Sequence, residues 1–97
     1  MTAYLVVRMK FHDLAWAREY QAKVPEILRR YGGEYVARGN RVERFEGADD
    51  GTQYMAILSY PSLAKIREFM DCEDYAPFRD ARIAQTYSDI IGFEADD

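Results

Sequence analysis

The stretch YLVVRMKF, residues 4–11, has large apolar side chains on both of the faces that a β-strand would present. One face is apolar throughout: Leu5, Val7, Met9 and Phe11. The other face has Tyr4 and Val6 before the basic residues Arg8 and Lys10. A strand in an antiparallel sheet with one solvated face would instead alternate apolar and polar residues. We therefore expect this strand to be covered on both sides.

A helix is expected after this strand, over residues 14–31. Asp13 stands where an N-cap belongs. Apolar residues then recur at steps of three and four: Ala17, Tyr20, Val24, Ile27, Leu28 and Tyr31. Pro25 lies within the helix and would clash with a carbonyl one turn earlier, so a kink or break is expected near it. Gly32 and Gly33 should end the helix, because glycine accepts the left-handed conformation that closes a last turn.

The rest of the chain predicts three more strands and a second helical region. In chain order these are a long strand interrupted at Gly39 and Asn40, a strand over residues 52–60, a helix capped by Ser62, a short helical segment over residues 73–84, and a strand over residues 86–95. The order βαββαβ suits a four-stranded antiparallel sheet with the helices on one face. The expected fold class is α+β, with a ferredoxin-like arrangement in one domain over residues 1–97.

The second face of the sheet needs a cover that the helices cannot supply. A second copy of the same sheet is the simplest cover, because two identical apolar faces match each other. We therefore expect a homodimer that forms through the sheet faces. The alternative is a monomer with an exposed, tyrosine-rich sheet face.

Composition limits the classes of partner. A formal net charge of −4, with the basic residues scattered along the chain, argues against a nucleic-acid surface. No apolar run reaches the roughly 20 residues of a membrane span and no signal peptide is recognisable, so we expect a cytoplasmic protein without a membrane partner. Cys72 is the only cysteine, which rules out an intrachain disulfide and a cysteine metal cluster. Without a glycine-rich nucleotide loop, no cofactor is expected.

Several motifs resemble one known family. They are YGGEYVARG (31–39), FEG (45–47), YPSLAKIREF (60–69), DYAPFRDAR (74–82) and DIIGFEA (89–95). Together they resemble the family of domain of unknown function 1330, within the dimeric α+β barrel superfamily. The resemblance covers nearly the whole chain and carries over to Tyr31, Gly32, Gly33, Arg38, Gly39, Glu46, Gly47, Asp74, Tyr75 and Arg82. It implies a ferredoxin-like subunit that dimerises through its sheets and has a pocket, without naming an activity.

Arg38 is a candidate ligand-binding residue. Strand alternation assigns Glu34, Val36 and Arg38 to one face, which we take as the dimer-facing side together with Arg8. A guanidinium in a partly enclosed space needs an acceptor, and its planar fork suits a carboxylate. Either Glu34 or Glu46 supplies that carboxylate in an internal ion pair, or a ligand does; the ion pair is somewhat favoured.

Tyr75, Arg79 and Arg82 follow at steps of four and three, so a helix would gather them on one side. They could make an anion-binding rim, but the favoured expectation is that nearby acids neutralise the arginines in a solvated network. These acids are Asp71, Glu73, Asp74 and Asp80.

His12, at the end of the first strand, and Tyr75 are weak candidates for a catalytic general base. A single histidine without a second ligand nearby is a poor metal signal, and no metal site is expected. Two classes of function remain. One is a protein that binds a small acidic or aromatic ligand through Arg8, Arg38, Glu46, Tyr75 and Arg82. The other, suggested by related barrels, is an enzyme similar to cofactor-independent monooxygenases or isomerases.

Overall fold

The chain forms one antiparallel sheet of four strands. The computed structural model describes residues 1–96. Its elements are β1 (Ala3–Phe11), α1 (Ala17–Arg29), β2 (Glu34–Gly39), β3 (Tyr54–Tyr60), α2 (Leu63–Asp71), α3 (Ala76–Gln85) and β4 (Thr86–Glu94). The strand order across the sheet is β2-β3-β1-β4. The expected ferredoxin-like βαββαβ arrangement is confirmed, with the second helical region divided into α2 and α3.

β1 is the central strand and pairs antiparallel with both β3 and β4. Its alternate residues lie in the core on the helix-facing side: Ala3, Leu5, Val7 and Met9. They pack with side chains of all the helical regions, among them Val24 and Leu28 of α1 and Phe69 of α2. The opposite side of β1 is only partly buried. The apolar alternation therefore predicted the core face correctly.

Helix α1 runs without interruption through Pro25, so the expected break is wrong. A proline within a helix costs about 3 kcal/mol, because it removes a hydrogen bond and crowds the preceding turn. Val24 precedes it and Ile27 and Leu28 follow it, and all three are buried against the sheet. Burial of an aliphatic side chain contributes about 1.5–3 kcal/mol. Packing on both sides of the proline therefore outweighs its cost.

The ends of the helices follow the sequence signals closely. Gly32 has a φ of 81° and ends the turn after α1, as expected. The Gly33 amide donates to the carbonyl of Leu28 at 2.9 Å, which satisfies one of the last carbonyls of the helix. The Ser62 hydroxyl caps α2 by accepting from the Lys65 amide at 3.2 Å. Asp13 is the exception: α1 begins at Ala17 after Trp16, without a side-chain cap, so the expected N-cap at Asp13 is wrong. The Asp13 carboxylate accepts from the Ala15 amide in the turn before the helix.

Strand β2 ends at Gly39, and the expected continuation of this strand over residues 41–46 is wrong. Gly39 already pairs with Met55, close to the start of β3. Residues 41–46 therefore have no strand to pair with, because β3 does not extend back to meet them. Residues 40–53 form a loop instead.

Candidate functional site

A bulge in β2 decides where Arg38 points. Tyr35 pairs with Leu58, whereas Ala37 pairs with Ile57, so Val36 is an extra residue without a partner. An extra residue reverses the alternation of faces beyond it. Arg38 consequently pairs with Ala56 and lies on the helix-facing side, the same side as Tyr35. The expectation that Arg38 shares the opposite, dimer-facing side with Arg8 is therefore wrong.

A cavity lies between the helix-facing side of the sheet and the helices. The centres of water molecules can occupy about 110 Å³ of it. Most of its wall is apolar, from residues such as Leu5, Val7, Met9, Val24, Leu58 and Phe69. Its polar groups are those of Tyr20, Gln21, Tyr35, Arg38, Tyr54, Tyr75 and Arg82. The cavity wall thus contains two arginines and no carboxylate among the described residues.

Arg82 is the most unusual residue of this cavity. It is only 4% exposed, and its Nε atom is buried without a hydrogen-bond partner in residues 1–96. No carboxylate of those residues lies within 4.0 Å of its guanidinium. A buried charge that lacks both a partner and water costs several kcal/mol. The expected neutralisation of Arg82 by nearby acids is therefore not what the structure shows.

Two tyrosine hydroxyls form a hydrogen bond beside Arg82. The hydroxyls of Tyr20 and Tyr75 lie 2.7 Å apart. Burial raises the pKa of Tyr20 far above its usual range, and Tyr75 raises it further, while the charge of Arg82 opposes the rise. Trp16 packs edge-on against Tyr20, and Phe69 stacks on Tyr75 with ring centroids 4.2 Å apart. The raised pKa keeps the Tyr20 hydroxyl protonated at neutral pH.

Arg38 approaches the cavity from the β2 side. Its guanidinium carbon lies 4.6 Å from the centre of the Tyr35 ring, a cation–π contact. Burial raises the pKa values of Tyr35 and Tyr54, and Arg38 opposes both shifts. Arg38 makes no ion pair with another residue of the described chain, so the favoured internal pair with Glu34 or Glu46 is also wrong.

The expected rim on α3 divides into two parts. Tyr75 and Arg82 line the cavity. Arg79 does not: it donates to the backbone carbonyl of Met70 at 2.7 Å and lies 3.4 Å from the carboxylate of Asp80. The end of α2 therefore holds Arg79 away from the other two residues.

Arg8 and Glu46 lie elsewhere, in a cleft on the opposite side of the sheet. Arg8 forms ion pairs with Asp50 and Asp89, so its charge is already balanced. Hydrogen bonds from Thr52, and then Arg44, hold the pKa of Asp50 well below its usual range. The five residues expected to form one ligand site are thus divided into a cavity group (Arg38, Tyr75 and Arg82) and a separate charged cleft.

His12 is exposed and does not line the cavity. Its backbone amide donates to the carbonyl of Gln85 at 2.8 Å, which joins the end of β1 to the end of α3. Within residues 1–96, no three side chains of His, Cys, Asp or Glu come together as a metal site would require. None of the described helices is long and apolar enough to cross a membrane.

Comparison with known proteins settles the family. The sequence-family model for a domain of unknown function, DUF1330, matches residues 2–95. The chain belongs to the DUF1330 family. Among curated proteins, no match was found.

Solved structures with the same fold include proteins of unknown function and one oxygenase. RPA0582, a protein of unknown function from Rhodopseudomonas palustris, is 18% identical with a TM-score of 0.84, covering 99% of this chain and 83% of that chain. SnoaB, a cofactor-independent oxygenase from Streptomyces nogalater, is 21% identical with a TM-score of 0.69. The match covers 99% of this chain and 94% of that chain. A dabb family protein with a ferredoxin-like fold from Mesorhizobium loti is 12% identical with a TM-score of 0.66. The match covers 97% of this chain and 96% of that chain. At these identities the likeness shows the fold alone.

The sequence did not reveal three of the cavity's tyrosines in this DUF1330 chain. The periodicity of α1 assigns Tyr20 only to its buried face, and no motif marks Tyr35 or Tyr54 as site residues. A partial signal existed: Trp16 and Tyr20 are one helical turn apart, and an aromatic pair with this spacing faces one direction.

Proposed function

We propose that this DUF1330 protein binds a small aromatic acid in the cavity between sheet and helices. The single observation behind the proposal is the guanidinium of Arg82, which is almost fully buried beside a cavity to whose wall residues 1–96 contribute no carboxylate. A ligand carboxylate would supply the missing acceptor, and the guanidinium fork suits a carboxylate in two parallel hydrogen bonds.

The walls of the cavity favour an aromatic ring on that acid. Aliphatic side chains of β1 and β3 line the sheet side, while Tyr20, Phe69 and Tyr75 offer ring edges and faces. Apolar walls with a few placed polar groups are typical of small-molecule sites. Within the Tyr20–Tyr75 pair one hydroxyl donates to the other, and the accepting hydroxyl has its own proton free to donate to an oxygen of the ligand.

Calorimetric titration with benzoate tests the proposal. We expect benzoate to bind the wild-type protein, and Arg82→Met to weaken binding by about 10- to 100-fold, since hydrogen bonds to charged groups contribute about 1.5–3 kcal/mol. Arg67→Met is the matched control, because Arg67 is exposed on α2 and lies outside the cavity. Equal affinity of the two variants, or no binding of benzoate by the wild type, would contradict the proposal.

We also propose that the protein is a homodimer through the outer side of the sheet, the side away from the helices. The strand register supports this with an apolar row that crosses all four strands: Ala37, Ile57, Val6 and Ile91. Tyr4 and Phe93 extend the row, with ring centroids 5.8 Å apart. Large exposed apolar patches on a sheet mark interaction surfaces.

The substitution Ile91→Lys is expected to dissociate the proposed dimer into monomers. Ile91 is 63% exposed in the single chain, so Ile91→Lys should leave the fold of the subunit intact while placing a charge within the interface. Ile83→Lys is the control, because Ile83 is 58% exposed on α3 and is not on the sheet. Light scattering should give twice 11.3 kDa for the wild type and for the control. It should give a single subunit mass for Ile91→Lys, and a monomeric wild type at micromolar concentration would disprove the dimer.

The second candidate function is that of an enzyme similar to cofactor-independent oxygenases or isomerases. The Tyr20–Tyr75 hydroxyl pair within the cavity favours it, because the O–H that is not used within the pair can donate to an oxyanion that develops on a substrate. Tyr75 would then act as a hydrogen-bond donor and not as the general base expected from the sequence. Incubation of the protein with an enolisable aromatic ligand in heavy water tests this candidate. If the ligand is recovered unchanged and its acidic carbon-bound hydrogen has not exchanged, the candidate is excluded.

A further inference from the structure

We infer that the cavity recognises a two-ended ligand, a flat apolar body with an acidic group at each of two opposite ends, as in a para-substituted aromatic diacid. The inference rests on the proposed function, because it concerns the same cavity. It adds the role of Arg38 and the shape of the ligand.

The two arginines enter the cavity from opposite edges of the fold. Arg38 lies on β2, which is one edge strand, whereas α3 leads directly into β4, which is the other. Arg82 is held near the start of β4, because the Thr86 hydroxyl donates to its backbone carbonyl at 2.7 Å. Edge strands of a four-stranded sheet are three strand spacings apart, or about 14 Å. Arg38 therefore lies on one edge strand, whereas Arg82 lies in α3, just before the opposite edge strand begins.

Each arginine acts on different tyrosines of the cavity. The charge of Arg82 opposes the raised pKa of Tyr20, which burial causes. The charge of Arg38 opposes the raised pKa values of Tyr35 and Tyr54, which burial also causes. The cavity thus has two positive poles, at Arg82 and at Arg38, and Tyr35 interacts electrostatically with both Tyr20 and Tyr75.

The floor between these poles is apolar. In the register of the sheet, Arg38 pairs with Ala56, Ala56 with Val7, and Val7 with Ile90. All four residues line the cavity. A ligand that reaches from one pole to the other must therefore lie along small and aliphatic side chains, which suits a flat hydrocarbon body and not a polar one.

Charge balance supplies the reason for a second acidic group. Two guanidinium groups in one cavity repel each other, and no carboxylate of the described wall offsets them. One ligand carboxylate at Arg82 leaves Arg38 without a carboxylate partner, because this exposed side chain contacts only Tyr35, Tyr54 and solvent. A second acidic group at the opposite end of the ligand gives Arg38 an acceptor and neutralises both poles.

Titration of the wild-type protein with three carboxylates tests this inference. We expect terephthalate, with carboxylates at opposite ends of the ring, to bind about 10-fold tighter than benzoate, a difference of about 1.4 kcal/mol. Phthalate, with its carboxylates side by side, should bind no tighter than benzoate. In Arg38→Met the terephthalate preference should fall to about one, whereas Arg41→Met, an exposed arginine three residues further on, should retain it.

The outcomes separate the inference from the proposed function. If benzoate binds but terephthalate has no advantage, or if Arg38→Met retains the advantage, the two-ended ligand is wrong while the single-acid site stands. If neither compound binds, the proposed function fails and the inference fails with it.

Discussion

Replacing Arg82 with methionine is expected to stabilise the ligand-free protein. Methionine keeps a long, flexible stem in the core but removes a guanidinium whose Nε atom has no partner in residues 1–96. Replacement of buried charges by apolar side chains of similar volume is often stabilising by about 1–4 kcal/mol. For a domain of this size, each kcal/mol shifts the melting temperature by about 4–8 °C. Thermal unfolding without ligand should therefore show a higher melting temperature for Arg82→Met.

With benzoate present, the same measurement should distinguish the two proteins by the rise in melting temperature. Saturating benzoate stabilises a folded protein that binds it, so the melting temperature of the wild type should rise and that of Arg82→Met should not. Arg67→Met should melt within the range of an ordinary surface substitution, about ±0.5 kcal/mol, and should still respond to benzoate. If Arg82→Met lowers the stability by 2 kcal/mol or more, the guanidinium already has a partner within the fold, and its role is structural.

The sequence predicted the features that depend on residues close together in the chain. The alternation of β1 identified the core face, and Gly32 marked the end of α1. The seven-residue spacing of Tyr75 and Arg82 places them two turns apart on one side of a helix, and both line the cavity. Periodicity and end signals are properties of a single segment, so they can be read without knowing what that segment contacts.

The errors arose where the outcome depends on a partner strand or helix. The face of Arg38 depends on the bulge at Val36, which exists only because β2 pairs with β3 in a particular register. Residues 41–46 have a plausible strand sequence but nothing to pair with. Arg79 was grouped with Arg82, yet the carbonyl of Met70 at the end of α2 binds it. None of these contacts has a signal in the local sequence.

One of the glycines in the stretch YGGEYVARG should be essential for packing and another should be dispensable. A Cβ atom at Gly33 would lie 2.7 and 2.8 Å from ring atoms of Tyr60 and 2.9 Å from the carbonyl oxygen of Leu28. Neither neighbour can easily move. Tyr60 is 1% exposed and packs against Phe69, while the Leu28 carbonyl accepts the hydrogen bond from the Gly33 amide. At Gly39, a Cβ atom would meet nothing within 4 Å.

Gly33→Ala is therefore expected to lower the free energy of unfolding by about 1–3 kcal/mol, the usual cost of overpacking a close-packed core. Neither glycine has a positive φ, so the difference between them comes from packing and not from backbone strain. Gly39→Ala should leave stability within about 0.5 kcal/mol of the wild type. Urea denaturation followed by circular dichroism measures both. Equal midpoints for the two variants would mean that Tyr60 can move aside, and that the junction of α1 with β3 is looser than its contacts indicate.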